Sequence, residues 1–260
     1  MKKVLTIAGS DCSGGAGIQA DLKTFAALGV YGMSVITSVT AQNTKGVTDV
    51  VDLSPEFVGA QMDAVFGDIF PDAVKIGMVS NAEIIKMIAK KLKEYGAKNI
   101  VLDPVMVSTS GSNLMDSKAT RTLIEELLPL ADIITPNMSE AAVLSEIEVN
   151  NKEDMEKAAV LIAESIDGIV LVKGGHLESS ADDLLFIDGK FDWVEGARID
   201  NENTHGTGCT LSSAIATNLA KEMDVREAFI QAKEYLRGAI EDGLDLGEGR
   251  GPLNHIYNIN

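Results

Sequence analysis

The chain has 260 residues, with 22 Lys and Arg against 39 Asp and Glu, so its formal net charge is −17. This acidic excess disfavours nucleic acid as the main partner, because phosphate backbones are bound mainly by clustered Lys and Arg. It leaves room for small phosphorylated ligands, which backbone N–H groups and a metal ion can hold.

Strand-like and helix-like segments alternate along the first half of the chain. Short apolar runs predict strands at residues 3–8, 31–41, 73–78 and 99–107. Apolar residues at helical spacing predict helices at residues 18–28, 55–66 and 82–95. Ser54 and Pro55 are typical of the N-cap and first position of the second helix, whereas Gly29 and Gly96 are typical helix stops.

The alternation continues in the second half. The pattern predicts helices at residues 118–128, 152–165, 209–221 and 225–242, and strands at 132–135 and 168–173. Residues 182–199 break the rhythm, because two β-rich runs flank Asp188-Gly189, a strong hairpin signal. Repeated β–α units predict one α/β domain over residues 1–260, with a mostly parallel sheet, helices on both faces and a small β-hairpin excursion.

The two cysteines, Cys12 and Cys209, lie far apart in the sequence. They form neither a disulfide framework nor a zinc-ligand pattern, so a reduced cytoplasmic setting is the simplest interpretation. The apolar stretch before Gly9 is too short for a signal peptide. No apolar run approaches the roughly 18–20 residues that cross a bilayer, so we expect no membrane association.

Ligands of open α/β sheets bind beyond the carboxyl ends of the strands, where residues 9–21 form a glycine-rich segment. Residues 15–20 satisfy G-x-G-x-x-A, a dinucleotide-binding pattern. That pattern needs an acidic residue about 20 positions further on, and residues 40–43 are Thr-Ala-Gln-Asn. A small-substrate loop is therefore favoured over a dinucleotide site, with a plain tight turn as the other alternative. No Walker A pattern occurs, which disfavours a P-loop enzyme.

The segment from Gly206 to Cys209 is a more specific signal. Its glycines let consecutive N–H groups converge on an anion, and the predicted helix adds its positive N-terminal dipole. The same field is expected to favour the thiolate of Cys209. The alternatives are a small buried residue at a helix start, or a Cys–His nucleophile with His205 for which no third group is identifiable.

Oxygen-bearing and cationic side chains follow three other predicted strands. Asp103, Asn137 and Glu140 together offer oxygen groups that suit Mg²⁺ and its waters. Lys173 precedes two glycines, a setting in which it could contact a phosphate. Each has an ordinary alternative: a turn cap for Asp103, an N-cap with its box partner for Asn137 and Glu140, and a solvated surface for Lys173. The histidines, at positions 176, 205 and 255, lack metal-ligand spacing, and none is assigned to a metal.

Four segments together resemble one family closely: LTIAGSD at 5–11, GGAGIQADLKT at 14–24, DPVM at 103–106 and NTHGTGCT at 203–210. They are similar to the hydroxymethylpyrimidine/phosphomethylpyrimidine kinases of thiamine biosynthesis, in the ribokinase-like superfamily, and the resemblance spans essentially the whole chain. It implies a ribokinase-like three-layer α/β/α fold. It also implies ATP- and Mg²⁺-dependent phosphorylation of 4-amino-5-hydroxymethyl-2-methylpyrimidine to the monophosphate and then to the diphosphate.

The resemblance further implies roles for individual residues. The pyrimidine pocket would be lined by Gly9, Asp21, Gln42, Met78 and Val105, with the Gln42 amide on the aminopyrimidine edge. The ATP phosphates would be held by Asn137, Glu140, Lys173 and Thr207, and Mg²⁺, through water, by Asp103 and Glu140. An anion hole would be formed by the backbone from Gly206 to Cys209, including Thr207 and Gly208, with Cys209 as the catalytic base.

Alternative functions stay open at this point. Pyridoxal kinases of the same fold share the G-x-G-C segment, and Gln42 favours a pyrimidine over pyridoxal as the substrate. A non-catalytic binding protein would keep the pocket without releasing ADP, and a nicotinamide-dependent oxidoreductase rests on residues 15–17 alone. The resemblance also suggests a homodimer.

Overall fold

A single sheet runs through the described part of the molecule. The computed structural model describes residues 1–106, 115–166, 168–175, 177 and 180–259. Within these residues the sheet has nine strands in the order β3-β2-β1-β4-β5-β6-β7-β8-β9. The strands are β1 (Lys3–Asp11), β2 (Tyr31–Asn43), β3 (Gly46–Asp52), β4 (Ala73–Ile76), β5 (Ile100–Leu102), β6 (Ile133–Ile134), β7 (Ile169–Val172), β8 (Asp183–Ile187) and β9 (Lys190–Val194).

The centre of the sheet is parallel and its edges are antiparallel. Strands β2, β1, β4, β5, β6 and β7 pair in parallel, whereas β3 pairs antiparallel with β2, and β8 with both β7 and β9. Asp188 and Gly189 join β8 to β9 with φ of 50° and 72°, as a type I′ turn requires. The predicted mostly parallel sheet and its hairpin are therefore confirmed.

Helices cover both faces of the sheet and bury two separate apolar cores. They are α1 (Gly17–Ala27), α2 (Pro55–Phe66), α3 (Ala82–Tyr95), α4 (Ser117–Thr122), α5 (Met138–Ser145), α6 (Lys152–Ala163), α7 (Thr207–Ala220) and α8 (Val225–Glu241). Side chains alternate along a strand, so Leu5 and Ile7 join the core beneath α2 to α6, while Val4 joins the core beneath α1, α7 and α8. The result is the expected three-layer α/β/α arrangement.

The predicted helix at residues 118–128 is not continuous. Helix α4 ends at Thr122, and a π-helical turn (Leu123–Leu127) and a 3-10 turn (Leu128–Leu130) follow it. Pro129 has no N–H to donate and its ring crowds the preceding turn, so the α-helix does not continue through it. Strand β5 is shorter than the predicted strand at residues 99–107, whose last residue, Val107, lies outside the described residues.

Two elements were not predicted. Strand β3 was missed because most of its residues are exposed, and Asp49 and Asp52 interrupt its apolar pattern. Helix α5 was missed because it has only eight residues, although its capping residues were noted as a possible N-cap. The described helices include none that combines the length and apolarity of a membrane span.

Candidate active site

The ends of β5, β6 and β7 bring three charged side chains together. Lys173 Nζ lies 3.0 Å from Asp103 Oδ1 and 3.9 Å from Glu140 Oε2. Both carboxylates are almost inaccessible to solvent. Asp103 also accepts hydrogen bonds from Thr135 Oγ1 and Ser212 Oγ, each at 3.3 Å. The structure thus assembles the three residues that the sequence pattern placed near a phosphate and its metal.

Asn137 and Glu140 form the capping box of α5. Asn137 Oδ1 accepts from the Glu140 N–H at 2.9 Å, and Glu140 Oε2 accepts from the Asn137 N–H at 2.8 Å. The ordinary alternative for this pair is therefore present, and it fixes Glu140 beside Lys173. Burial raises the pKa of Glu140 to about 7, and the Lys173 charge offsets only part of that effect.

The beginning of α7 lies against this cluster. Gly206, the N-cap, has φ of 87°, a left-handed conformation that glycine adopts without strain. A Cβ built on Gly208 would lie 3.4 Å from both Asp103 Oδ2 and Lys173 Nζ. The first N–H groups of a helix have no intrahelical acceptor, although the Thr207 N–H donates to Thr204 O at 3.3 Å. Among the described residues the Gly208 and Cys209 N–H groups have no backbone acceptor, so they could donate to an anion next to Lys173.

Cys209 is a thiol at neutral pH in this setting. Burial raises its pKa to about 11, and the Asp21 and Asp103 charges act in the same direction while Lys75 opposes them. The expectation of a favoured thiolate is therefore wrong, because burial and the two carboxylates raise the pKa of Cys209. The Cys–His alternative is not formed either, since His205 Nε2 contacts Asp11 and Gln42 instead.

Asp21 does not face an open pocket. Its carboxylate is inaccessible to solvent and lies 2.9 Å from Lys75 Nζ through both oxygens. It also accepts from Thr6 Oγ1 at 2.6 Å and from Ser213 Oγ at 2.7 Å. The expected pocket-lining role is thus corrected: Asp21 compensates a buried cation beneath the sheet ends, where Lys75 would otherwise be unpaired.

Gly9 and Met78 are in contact with each other, and their place in a pyrimidine pocket stays a prediction. The Gly9 N–H donates to Met78 O at 3.2 Å. A Cβ on Gly9 would lie 3.1 Å from Met78 Cε and 2.8 Å from Ser38 Oγ, so a larger residue would collide with these side chains. Val105 is half-buried in the loop after β5, where its N–H donates to Asp103 O at 2.8 Å.

Gln42 lies on a separate wall, beside a cavity of about 400 Å³. The residues that line this cavity are Gln42, Asn43, Thr44, Lys45, His205, Gly249 and Arg250. Gln42 Nε2 lies 3.2 Å from His205 Nε2, and Gln42 Oε1 lies 3.1 Å from Thr40 Oγ1. The cavity therefore reaches Gln42 but not Gly9, Met78 or Val105.

The carboxylates of this site suit a metal ion that is bound mainly by the phosphates of a nucleotide. Asp103 and Glu140 offer carboxylate oxygens, but Lys173 already compensates them. The part of the chain that the structure describes contains no group of three or more His, Cys, Asp or Glu suited to a metal. These residues fit Mg²⁺ bound mostly by phosphate and water oxygens, with the carboxylates reached through water.

Sequence reasoning missed Lys75 and underrated His205. Lys75 lies in a run that reads as an apolar strand, and its partner Asp21 is on another element. His205 was weighed only as a partner for Cys209, four residues away, rather than for Asp11. His176 lies outside the described residues.

Comparisons with known proteins identify the family. The sequence model of a family described as phosphomethylpyrimidine kinase matches residues 11–254. A curated hydroxymethylpyrimidine/phosphomethylpyrimidine kinase of Rhizobium meliloti is 54% identical over 257 residues, which are 97% of this chain and 96% of that one.

Solved structures extend the likeness to the fold. A phosphomethylpyrimidine kinase from Clostridium difficile 630 superposes with a TM-score of 0.84 at 49% identity, covering 92% of this chain and 100% of that one. A Bacillus subtilis pyridoxal kinase in an ADP complex superposes with a TM-score of 0.93 at 39% identity, covering 100% of both chains. The fold is thus the ribokinase-like one, and the chain belongs to the phosphomethylpyrimidine kinase family.

Proposed function

We propose that the protein transfers the γ-phosphoryl group of ATP to 4-amino-5-hydroxymethyl-2-methylpyrimidine and then to the resulting monophosphate. The observation that carries this proposal is the beginning of α7, where Gly208 lies against Asp103 and Lys173. It brings the N–H groups of a helix N-terminus, a lysine and two carboxylates together, as phosphoryl transfer to an acceptor requires. The family membership supports the same reaction.

The phosphate side of the site belongs to the ends of β5, β6 and β7. We assign the ATP phosphates to Lys173, Asn137 and Thr207, with the Gly208 and Cys209 N–H groups on the transferring phosphoryl. Mg²⁺, held through water by Asp103 and Glu140, would neutralise charge on the phosphate oxygens. Before ATP binds, Lys173 holds the carboxylates of Asp103 and Glu140 in place.

The pyrimidine side belongs to β1, β2 and the loops after β4 and β5. Gly9, Met78 and Val105 would contact the ring, and the Gln42 amide would bind its aminopyrimidine edge. The support is that Gly9 and Met78 already form one wall, while half-buried Gln42 borders the cavity.

Cys209 is proposed as the base for the first step. The hydroxyl oxygen bonds to the γ-phosphorus, the bond from that phosphorus to the bridging oxygen breaks, and ADP leaves. The hydroxyl proton passes to Cys209 Sγ, whose thiolate is a minor species at neutral pH because its pKa is about 11. The second step needs no such base, since the attacking phosphate oxygen is already ionised at pH 7.

Phosphorylation of pyridoxal is the second candidate function. The TM-score of 0.93 with a pyridoxal kinase favours it, and so does a Staphylococcus aureus pyridoxal kinase solved with AMP-PCP and pyridoxal, which is 37% identical at a TM-score of 0.90. Identities of 49–54% with phosphomethylpyrimidine kinases favour the first candidate.

An ADP-release assay with the hydroxymethylpyrimidine and pyridoxal side by side tests the proposal. We expect turnover of the pyrimidine with kcat/KM at least about tenfold above that for pyridoxal, because a site that binds a substrate's polar edge discriminates by roughly this much or more. Omission of Mg²⁺ should abolish both reactions. Pyridoxal as the better substrate would establish the second candidate, and no ADP release with either would contradict both.

A homodimer in a reducing compartment is also proposed. Val39 and Val51 pair directly across β2 and β3 and are 45% and 62% exposed, so they offer an apolar surface to a second copy. Cys12 and Cys209 are both free thiols. Light scattering of the wild type and of Val51→Asp checks the dimer, since a monomeric wild type would contradict it.

A further inference from the structure

Asp11 gathers donors from two loops. Its Oδ1 accepts from the N–H and Oγ of Ser13 at 2.9 and 2.7 Å. Its Oδ2 accepts from the Gly15 and Ala16 N–H groups at 3.1 and 2.8 Å, and lies 2.9 Å from His205 Nε2. A carboxyl group with donors on both oxygens has no place for a proton of its own, so it is an acceptor only.

The ionised state of Asp11 settles the role of the facing histidine nitrogen. Burial opposes ionisation, but hydrogen bonds from His205, Ser13 and the Ala16 N–H outweigh it and lower the pKa of Asp11 to about 2. Because a carboxylate can only accept, His205 Nε2 carries a hydrogen and donates it. His205 is itself buried, and its backbone N–H donates to Gly251 O at 3.1 Å.

The same nitrogen faces the Gln42 amide at 3.2 Å. Once protonated, Nε2 has no lone pair, so a Gln42 N–H facing it would find no acceptor. The amide oxygen is the favourable neighbour, and it shares the single Nε2 hydrogen with Asp11 Oδ2. Amide oxygen and nitrogen are assigned from such networks rather than from electron count. The amide nitrogen then faces Thr40 Oγ1, which accepts because its own hydroxyl donates to Ser10 O at 3.0 Å.

The Gln42 amide nitrogen uses one N–H on Thr40, and the amide oxygen uses one lone pair on His205. One N–H and one lone pair are left for a ligand. An aminopyrimidine edge presents an acceptor ring nitrogen beside a donor amino group, which complements that pair. Pyridoxal has no ring amino group to give to the oxygen. The orientation of one amide thus decides which ring edge the site matches.

We propose that Asp11 and His205 are positioning residues that hold the Gln42 amide in one orientation and thereby set the preference for an aminopyrimidine over a hydroxypyridine. The proposal rests on the proposed function, since Gln42 binds the ring edge there. Asp11 and His205 act through Gln42 rather than on the transferring phosphoryl, so their loss should change substrate binding and not the chemical step.

Replacement of His205 tests the relay. His205→Leu removes the donor, whereas His205→Gln puts an amide N–H close to the position of Nε2. We expect His205→Leu to raise KM for the hydroxymethylpyrimidine about tenfold with kcat nearly unchanged, the effect of one lost oriented hydrogen bond. Its preference for the pyrimidine over pyridoxal, taken from kcat/KM or from inhibition constants, should fall by a similar factor. His205→Gln should restore both to within about threefold.

His255→Leu is the matched control. It removes another buried histidine, which contacts Thr210 Oγ1 at 3.0 Å, and it should keep the substrate preference. A His205→Leu variant that loses kcat for both substrates equally would show a merely structural role and overturn the proposal. An unchanged preference would also overturn it.

Nitrogen-15 NMR of histidine-labelled wild-type protein gives a readout that needs no stable variant. A proton on Nε2 of His205 supports the relay, and a neutral ring protonated only at Nδ1 overturns it. The wild-type assay separates the two levels: no turnover of the pyrimidine overturns the proposed function together with this inference, whereas turnover with an unaltered preference in His205→Leu overturns this inference alone.

Discussion

At the scale of single residues, Cys209 is protonated in the resting protein, whereas a general base must be deprotonated. Its sulfur lies among Asp21, Asp103 and Lys75, in a site where burial keeps the proton on. In a loose phosphoryl-transfer transition state the bond to the attacking oxygen is little formed, so the proton is removed only late in the reaction. In the proposed mechanism the small thiolate fraction takes the hydroxyl proton, so alcohol phosphorylation is expected to depend on Cys209 more than phosphate phosphorylation does.

Cys209→Ala should therefore slow alcohol phosphorylation about a hundredfold or more, as loss of a general base does, and phosphate phosphorylation by much less. The two steps are measured separately, starting from the alcohol and from the monophosphate. Cys12→Ser is the matched cysteine control and should leave both rates nearly unchanged. Replacement of Gly208 by Val should damage both steps alike, because the side chain would enter the proposed phosphate site beside Asp103 and Lys173.

The pH profile gives a second readout of the same role. Below a pKa of about 11, the thiolate fraction rises about tenfold per pH unit, so the alcohol step should accelerate between pH 7 and 9 while the phosphate step stays nearly flat. Equal losses in Cys209→Ala, or parallel pH profiles for the two steps, would assign the thiol a structural role.

At the scale of elements, one buried ion pair ties four of them together. Asp21 on α1 meets Lys75 on β4, Thr6 on β1 and Ser213 on α7. Burial opposes the Lys75 charge, but the Asp21 carboxylate outweighs it and keeps the pKa of Lys75 above its ordinary value. Removal of one partner leaves the other charge buried and uncompensated, which is the costly change.

Asp21→Asn or Lys75→Met alone should lower the free energy of unfolding by about 3–5 kcal/mol, and the double variant by clearly less than the sum. Urea denaturation of all four proteins measures this coupling. The exposed ion pair of Glu153 and Lys157 on α6, with Nζ and Oε1 2.8 Å apart, is the control cycle, and far smaller changes in unfolding free energy are expected there. Additive losses at Asp21 and Lys75 would show that the two charges do not depend on each other.

The same elements show what sequence can and cannot predict. The strand at residues 3–8 was predictable because burial on both faces leaves a continuous apolar run, whereas β3, exposed along most of its length, carries no such signal. Asp103, Glu140 and Lys173 were predictable as a group, since parallel strands place their carboxyl ends at one edge. The pairing of Lys75 with Asp21, and the burial that raises the Cys209 pKa, depend on packing between distant segments.

At the scale of the whole molecule, folding keeps a buried histidine neutral. Burial, together with the nearby Lys23 charge, lowers the pKa of His255 to about 4. The unfolded chain, with an ordinary pKa near 6.5, binds more protons between pH 6.5 and 4, so stability falls as the pH falls through that window. His255 thus makes the fold sensitive to mild acid.

Acidification from pH 7 to pH 4 should therefore remove about 3 kcal/mol of unfolding free energy through His255. The His255→Gln variant cannot take up this proton, so its unfolding free energy should fall by about 3 kcal/mol less than that of the wild type over the same pH range. Urea denaturation at several pH values compares the two proteins. Equal pH dependence in both would contradict a neutral buried His255.

Residues 251–255, which follow α8, contact the loop that carries His205 and the first turn of α7. Gly251 accepts from the His205 N–H and donates to Asn203 Oδ1, and His255 contacts Thr210 in the first turn of α7. Each of these contacts needs Gly251 or His255, both of which are translated after α8. A nascent chain that has folded its first strands and helices still lacks these contacts to the first turn of α7, the proposed phosphate site. We therefore expect it to consume no ATP until residues 251–255 have left the ribosome.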